Sequence, residues 1–163
     1  MPASSRLPSL GARGEGWVAI QLALMALVGL SALLDVYWPD VVAGVFVVLG
    51  LVLVGAALVL LAFAGASLVV ARAITAFPRP REHSGLAQHG AYRVVRHPVY
   101  GAILLLAVGW SLALAPLGLI PALLLALVFD LKARLEEAWL VERHPSYLAY
   151  RERTPRRFVP GLY

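Results

Sequence analysis

Residues 98–129 read PVYGAILLLAVGWSLALAPLGLIPALLLALVF, an unbroken run with no charged side chain. Its second half holds Pro116 and Pro121, with Gly118 between them. Proline inside a helix removes a hydrogen-bond donor and clashes with the preceding turn. One long helix is therefore excluded, and two shorter ones are expected, about 99–115 and 118–131, joined by a tight turn. Upstream lie two more uncharged runs. The first, 17–34, is closed by Asp35 and carries Trp17 at one end and Tyr37 and Trp38 at the other. From Trp17 to Trp38 a helix rises about 32 Å, close to a bilayer's hydrocarbon thickness with aromatic belts at both faces. It is longer than the apolar core of a cleaved signal peptide, so a retained anchor is expected. The second, 41–71, would be about 46 Å long as one helix and must tilt or project beyond the bilayer. Small residues recur along it, among them Ala43, Gly44, Gly50, Gly55, Ala56, Ala62, Gly65 and Ala66, and predict close helix packing.

The expected fold is thus an all-α polytopic membrane bundle, a single integral membrane domain over 1–163. It has four transmembrane helices (17–35, 41–72, 98–115 and 118–131) and polar or interfacial segments at 73–97 and 132–163, the latter a C-terminal interfacial helix and a tail. Composition agrees: 61% of residues are hydrophobic, 14% are charged, and mean hydropathy is +0.81, which excludes an ordinary soluble domain and a disordered chain. No cysteine is present, which removes disulfides, a thiol nucleophile and thiolate metal sites. No metal site is expected, because His83, His89 and His144 lack helical ligand spacing. Gly11, Gly14 and Gly16 resemble a phosphate loop only superficially, with no preceding strand and no lysine after them.

All fourteen basic residues fall before span one, between spans two and three, or after span four. Arg6 and Arg13 make up the first group, and Arg72, Arg79, Arg81, Arg93 and Arg96 the second. Positive flanks stay cytoplasmic, so both termini are expected inside. The net charge of +5 then points to an anionic membrane surface and not to nucleic acid.

Chemistry must be built from the two polar segments. The first ends GAYRVVRHPVYG over 90–101, with Pro98 suited to the first position of a helix. Arg96 and His97 beside that helix start could receive a carboxylate or phosphate, or could simply be a positive flank. The second holds Glu136 and Glu137, then Tyr147, Tyr150 and a basic tail. Adjacent glutamates on a helix point about 100° apart, which disfavours a shared proton. Helical spacing pairs Asp130 with Arg134 and Lys132 with Glu136 on the surface. It puts Leu131, Leu135, Ala138 and Trp139 on the buried stripe and leaves both glutamates off it.

Together the two blocks resemble the isoprenylcysteine carboxyl methyltransferase family and its prokaryotic relatives, which include phospholipid N-methyltransferases. The matching residues are Gly90, Tyr92, Arg96, His97, Pro98, Tyr100 and Gly101, then Glu136, Glu137, Leu140, Tyr147, Tyr150 and the ending Arg157, Phe158, Val159, Pro160. The resemblance implies a multi-pass protein of a prokaryotic cell membrane that holds S-adenosylmethionine in a pocket facing the cytoplasm. It implies cofactor contacts from His97 and Tyr100, with Tyr92 and Arg96 beside them, and from Glu136 or Glu137. Tyr147 and Tyr150 would meet a lipophilic acceptor, and Arg157 or Arg156 would sit at the reacting carboxylate. The family's Phe-Gly is His144-Pro145 here, and its single Pro-Arg-Phe is Pro155-Arg156-Arg157-Phe158, so the catalytic arginine is shared between two candidates. Three rival functions remain: methyl transfer to a phospholipid amine, nicotinamide-dependent reduction of a lipid, and a non-catalytic scaffold on anionic lipid.

Overall fold

A computed structural model describes residues 7–79 and 85–159. Arg6, Arg81, His83 and Pro160, all used in the sequence reading, lie outside them. The described residues are helical, with no strand among them.

Helix α1 (Glu15–Leu30) begins after Gly14, whose φ of 82° is the left-handed turn that suits glycine, and it is prolonged by a 3-10 turn, Ser31–Leu34. Glu15 turns back to accept the Arg13 backbone N–H at 2.9 Å. Trp17 is buried and donates its indole N–H to the Pro8 carbonyl at 3.0 Å. Helix α2 (Asp40–Val70) is one unbroken helix, as its uncharged sequence predicts. Asp40 in its first turn complements the helix dipole. Helix α3 (Pro98–Leu114) starts with Pro98 at its first position. A 3-10 turn, Pro116–Gly118, separates it from α4 (Leu119–Arg143), so the two prolines split the run as expected. Pro121 falls in the first turn of α4, where its missing N–H costs nothing. The expected fourth span of 118–131 and the interfacial stretch after it form one continuous helix. A short α5 (Tyr147–Arg153) follows.

Three helical stretches are long and apolar enough to cross a membrane: Glu15–Leu34, Asp40–Val70 and Pro116–Arg143. Helix α3 is apolar but shorter, at 17 residues.

Helix α2 packs on α3, and α1 on α4. The α2 contact runs along Gly50, Ala57 and Ala64, one heptad apart and buried. A Cβ on Gly50 would lie 2.5 Å from the Gly109 carbonyl oxygen, and one on Gly109 would lie 2.8 Å from that of Gly50, so the two backbones touch. Gly44, Gly55 and Gly65 face open space, which corrects the expectation that small residues all along α2 take part in packing. Between α1, α3 and α4 lies an apolar core of Val28, Ala107, Ala122, Leu125 and Phe129, which Phe158 joins from the tail.

The polar segments meet at one end of this bundle. Arg79 bonds the carbonyls of Arg13 and Ala12, and Gly14 lies against Pro78, so the N-terminal segment and the segment after α2 are neighbours. At the other end, Trp38 donates to the Leu112 carbonyl at 2.9 Å, and Gly118 fits between Ser31 and Ser111.

Candidate functional site

The start of α3, the last turns of α4 and the tail after α5 converge on one buried polar cluster. The tail runs beside the residues before α3: the Arg96 N–H donates to the Arg156 carbonyl at 3.0 Å and the His97 N–H to that of Arg157 at 2.8 Å. Further along, the Phe158 carbonyl lies 2.6 Å from where a Cβ on Gly101 would sit, so only glycine admits the tail there. The Arg96 guanidinium, buried, completes the seam by donating to the Thr154 carbonyl at 2.8 Å and to that of Pro155. Arg96 and His97 are therefore internal, and the simple positive-flank reading of them does not hold.

The adjacent glutamates point to different partners. Glu137 is buried and accepts from Arg96 Nε at 3.0 Å and Arg157 Nε at 3.2 Å, and His97 Nε2 lies 3.2 Å from the same oxygen. Glu136, half-buried, accepts the Tyr100 hydroxyl at 2.7 Å, with His97 Nδ1 at 3.8 Å. The imidazole of His97 thus stands between two carboxylates, one on each ring nitrogen. Tyr100 stacks on His97 and on Phe129, with ring centroids 5.3 and 4.6 Å apart, which fixes both the imidazole and the phenol. The helical wheel placed both glutamates off the buried stripe, and the structure corrects this for Glu137. Burial at the end of α4 follows the tail and the α3 approach, which fold back over a face with no apolar periodicity of its own.

A cavity of about 110 Å³ opens beside this cluster. Tyr92, Arg96, His97, Tyr100 and Glu136 line it together with Tyr147 and Tyr150, so residues of both sequence blocks share one space. Thr75, Pro78, Leu86 and Ala87 close its far side. The Tyr150 hydroxyl donates to the Tyr92 carbonyl at 2.6 Å. The Tyr147 hydroxyl is buried without a hydrogen-bond partner among the described residues. Burial, and after it the Glu136 carboxylate, pushes the Tyr92 phenol well above its ordinary range. Burial also raises Tyr147 and Tyr150, so all three resist ionisation even above the ordinary phenol range. A second, mainly apolar groove of about 350 Å³ lies against the end of α2, lined by Phe63, Ser67 and Val70. Leu86 and Ala87 belong to both walls and separate the two spaces.

Three expected site residues do not line the cavity. Glu137 stands behind it as the anchor of Arg96, Arg157 and His97. Arg157 bonds Asp130 at 2.8 Å as well as Glu137. Arg156 is exposed and reaches the cluster only through its carbonyl. The Asp130–Arg134 pair forms as expected, at 2.7 Å, and Asp130 also holds Arg157. The Lys132–Glu136 surface pair does not form. Lys132 is buried and donates to Gln21 Oε1 at 2.6 Å and to the Ala76 carbonyl at 3.2 Å. Local spacing carries no trace of these partners, which lie 111 and 56 residues away. No group of three or more potential metal ligands occurs among the described residues.

Compared with known proteins, the chain matches no family model and has no significant match among curated sequences.

Proposed function

We propose that the chain is a four-span membrane methyltransferase that uses S-adenosylmethionine on a lipophilic acceptor, with both termini and the cavity on the cytoplasmic side. The topology is supported by the meeting of the basic segments at one end of the bundle, which an even number of spans with α3 as the third would produce. The assignment rests above all on one juxtaposition. His97 and Tyr100 from one resemblance block share a cavity with Glu136, Tyr147 and Tyr150 from the other.

When bound, S-adenosylmethionine supplies a methyl group on a positively charged sulfur. The donor set suits such a ligand. Glu136 offers a carboxylate for its amine or hydroxyls, the Tyr147 hydroxyl has a vacant hydrogen-bonding valence, and the neutral tyrosine rings tolerate a cation at their faces. Space is the stricter condition. Small-molecule sites span about 300–1,000 Å³, so a ligand of that size requires Leu86 and Ala87 to yield toward the neighbouring groove, which also offers an apolar surface for a lipid chain. Methyl transfer demands alignment more than acid or base catalysis, and positioning supplies about 7–11 kcal/mol in favourable cases.

The resemblance implies a carboxylate acceptor held by Arg157. A second reading, an amine acceptor, is favoured by the position of that arginine outside the cavity lining, bonded to two carboxylates. The side chains that do line the cavity include Glu136 and His97, and these can take the proton an amine loses. Glu136 and His97 would orient the acceptor amine toward the methyl group that bound S-adenosylmethionine supplies. The proton would pass from nitrogen to Glu136 or His97.

Equilibrium binding to the purified protein in detergent tests the assignment. S-adenosylmethionine binding in the wild type, weakened at least tenfold in His97→Ala, is the expected result. NADPH binding in its place would establish a reductase, and binding of neither would leave a lipid-binding scaffold. Methylation of a lipid amine by a protein that leaves lipid carboxylates untouched would decide between the acceptors.

A further inference from the structure

Lys132 is the one lysine of the chain and is 1% exposed, buried where α4 enters the polar end of the bundle. A buried ammonium is costly unless its donors are satisfied. No carboxylate hydrogen-bonds to it among the described residues, and Glu136, one turn along α4, acts on it only through space. Its three neighbours come from three separate parts of the chain. Gln21 belongs to α1, the Ala76 carbonyl to the segment after α2, and the ring of Tyr100 to α3, with the ammonium 5.1 Å from the ring centroid. Two of these neighbours bear on the cavity. Ala76 lies between Thr75 and Pro78, which line its far wall, and Tyr100 lines it directly and holds Glu136.

The segment 73–78 has no helix of its own. Outside the Lys132 bond, its polar contacts are local, such as the Phe77 N–H on the Thr75 hydroxyl at 3.1 Å. The N-terminal segment braces its end, with Arg13 over the Phe77 ring at 4.2 Å. Within this irregular stretch, Lys132 supplies the Ala76 carbonyl with a donor from α4.

We propose that Lys132 is a positioning residue for the cavity: by tying Gln21, the Ala76 carbonyl and the face of Tyr100 together, it fixes the 73–78 wall and the Tyr100–Glu136 pair against which a ligand binds. A point charge with three donors on a flexible stem suits this junction, because the partners are one amide, one carbonyl and one ring at different angles. The cavity role builds on the methyltransferase reading, whereas the wall-holding role stands without it.

Two readouts on Lys132→Met and Lys132→Arg separate them. Hydrogen exchange by mass spectrometry reports the wall. In Lys132→Met, the peptide covering 73–79 is expected to exchange at least tenfold faster while the interior of α2 stays unchanged, and Lys132→Arg is expected to fall within threefold of wild type. Unchanged exchange in Lys132→Met would overturn the proposal whatever the protein binds. S-adenosylmethionine binding reports the cavity, with an expected loss of tenfold or more in Lys132→Met and recovery in Lys132→Arg. Faster exchange with unaltered binding would overturn the cavity role. A wild type that binds no S-adenosylmethionine would sink the methyltransferase reading, and the exchange result would still decide the wall. Should Lys132→Met fail to fold, Gln21→Leu decides. It keeps the cation and removes one tie, and about threefold faster exchange at 73–79 is expected, with no change counting against the junction.

Discussion

At the scale of single residues, the twin glutamates do different work. Glu137 neutralises Arg96 inside the protein, and removing one partner of a buried ion pair costs about 3–5 kcal/mol because the other charge is left alone. Glu137→Ala is therefore expected to lower the unfolding free energy in detergent by about 3–5 kcal/mol. Glu136 bonds a neutral hydroxyl at the cavity, so Glu136→Gln is expected to cost about 1 kcal/mol of stability and at least tenfold in ligand binding. Similar stability losses in the two variants would contradict this division. The tyrosines give a second test. Burial raises the phenols of Tyr92, Tyr147 and Tyr150 above the ordinary value of 10.0. The stability gained by keeping them neutral is complete below that pH and is lost as pH climbs through their raised folded values. Spectroscopic titration should show these three ionising only together with unfolding, and three phenols ionising near pH 10 in folded protein would refute it. Residue types were legible in the sequence here, but pairings were not. The motifs pointed to His97, Tyr100 and Glu136, whereas Asp130–Arg157 and Lys132–Gln21 join positions far apart in the chain, which helical periodicity cannot relate.

At the scale of elements, the two prolines and the uncharged runs made the helices readable, because breaking a helix and burying apolar length are local effects. Which face of α2 packs is not local. The sequence scatters small residues over the whole helix, and only a partner helix selects Gly50, Ala57 and Ala64. Gly50→Val forces a side chain into the Gly109 carbonyl and is expected to cost about 1–3 kcal/mol, as overpacked contacts do. Gly55 faces open space, so Gly55→Ala is expected to be neutral or to stabilise by up to about 1 kcal/mol through helix propensity. Thermal unfolding in detergent compares them, and equal effects would contradict the packing. Docking of the tail has its own switch at Gly101. Gly101→Ala pushes on the Phe158 carbonyl, and protease sensitivity of the tail after α5 should rise while α1 and α2 remain protected.

At the scale of the whole molecule, charge distribution is the feature read most directly from sequence, since basic flanks act through the membrane potential and lipid surface and not through contacts. The chain has no cysteine, so single cysteines can be introduced without background. A membrane-impermeant maleimide applied to intact cells should label a cysteine at Val36 and leave cysteines at Gln88 and Glu152 unlabelled until the membrane is opened. The reverse pattern would invert the bundle. The cavity itself arises only at this scale, because its walls come from the segment after α2, the approach to α3, the end of α4 and α5. The most direct test of its chemistry supplies S-adenosylmethionine labelled in its methyl group to purified protein in vesicles of host lipid. Wild type should pass the label into an organic-soluble product, and folded Glu136→Gln should pass at least tenfold less. No labelled product from wild type, or equal product from both, would contradict methyl transfer at this cavity.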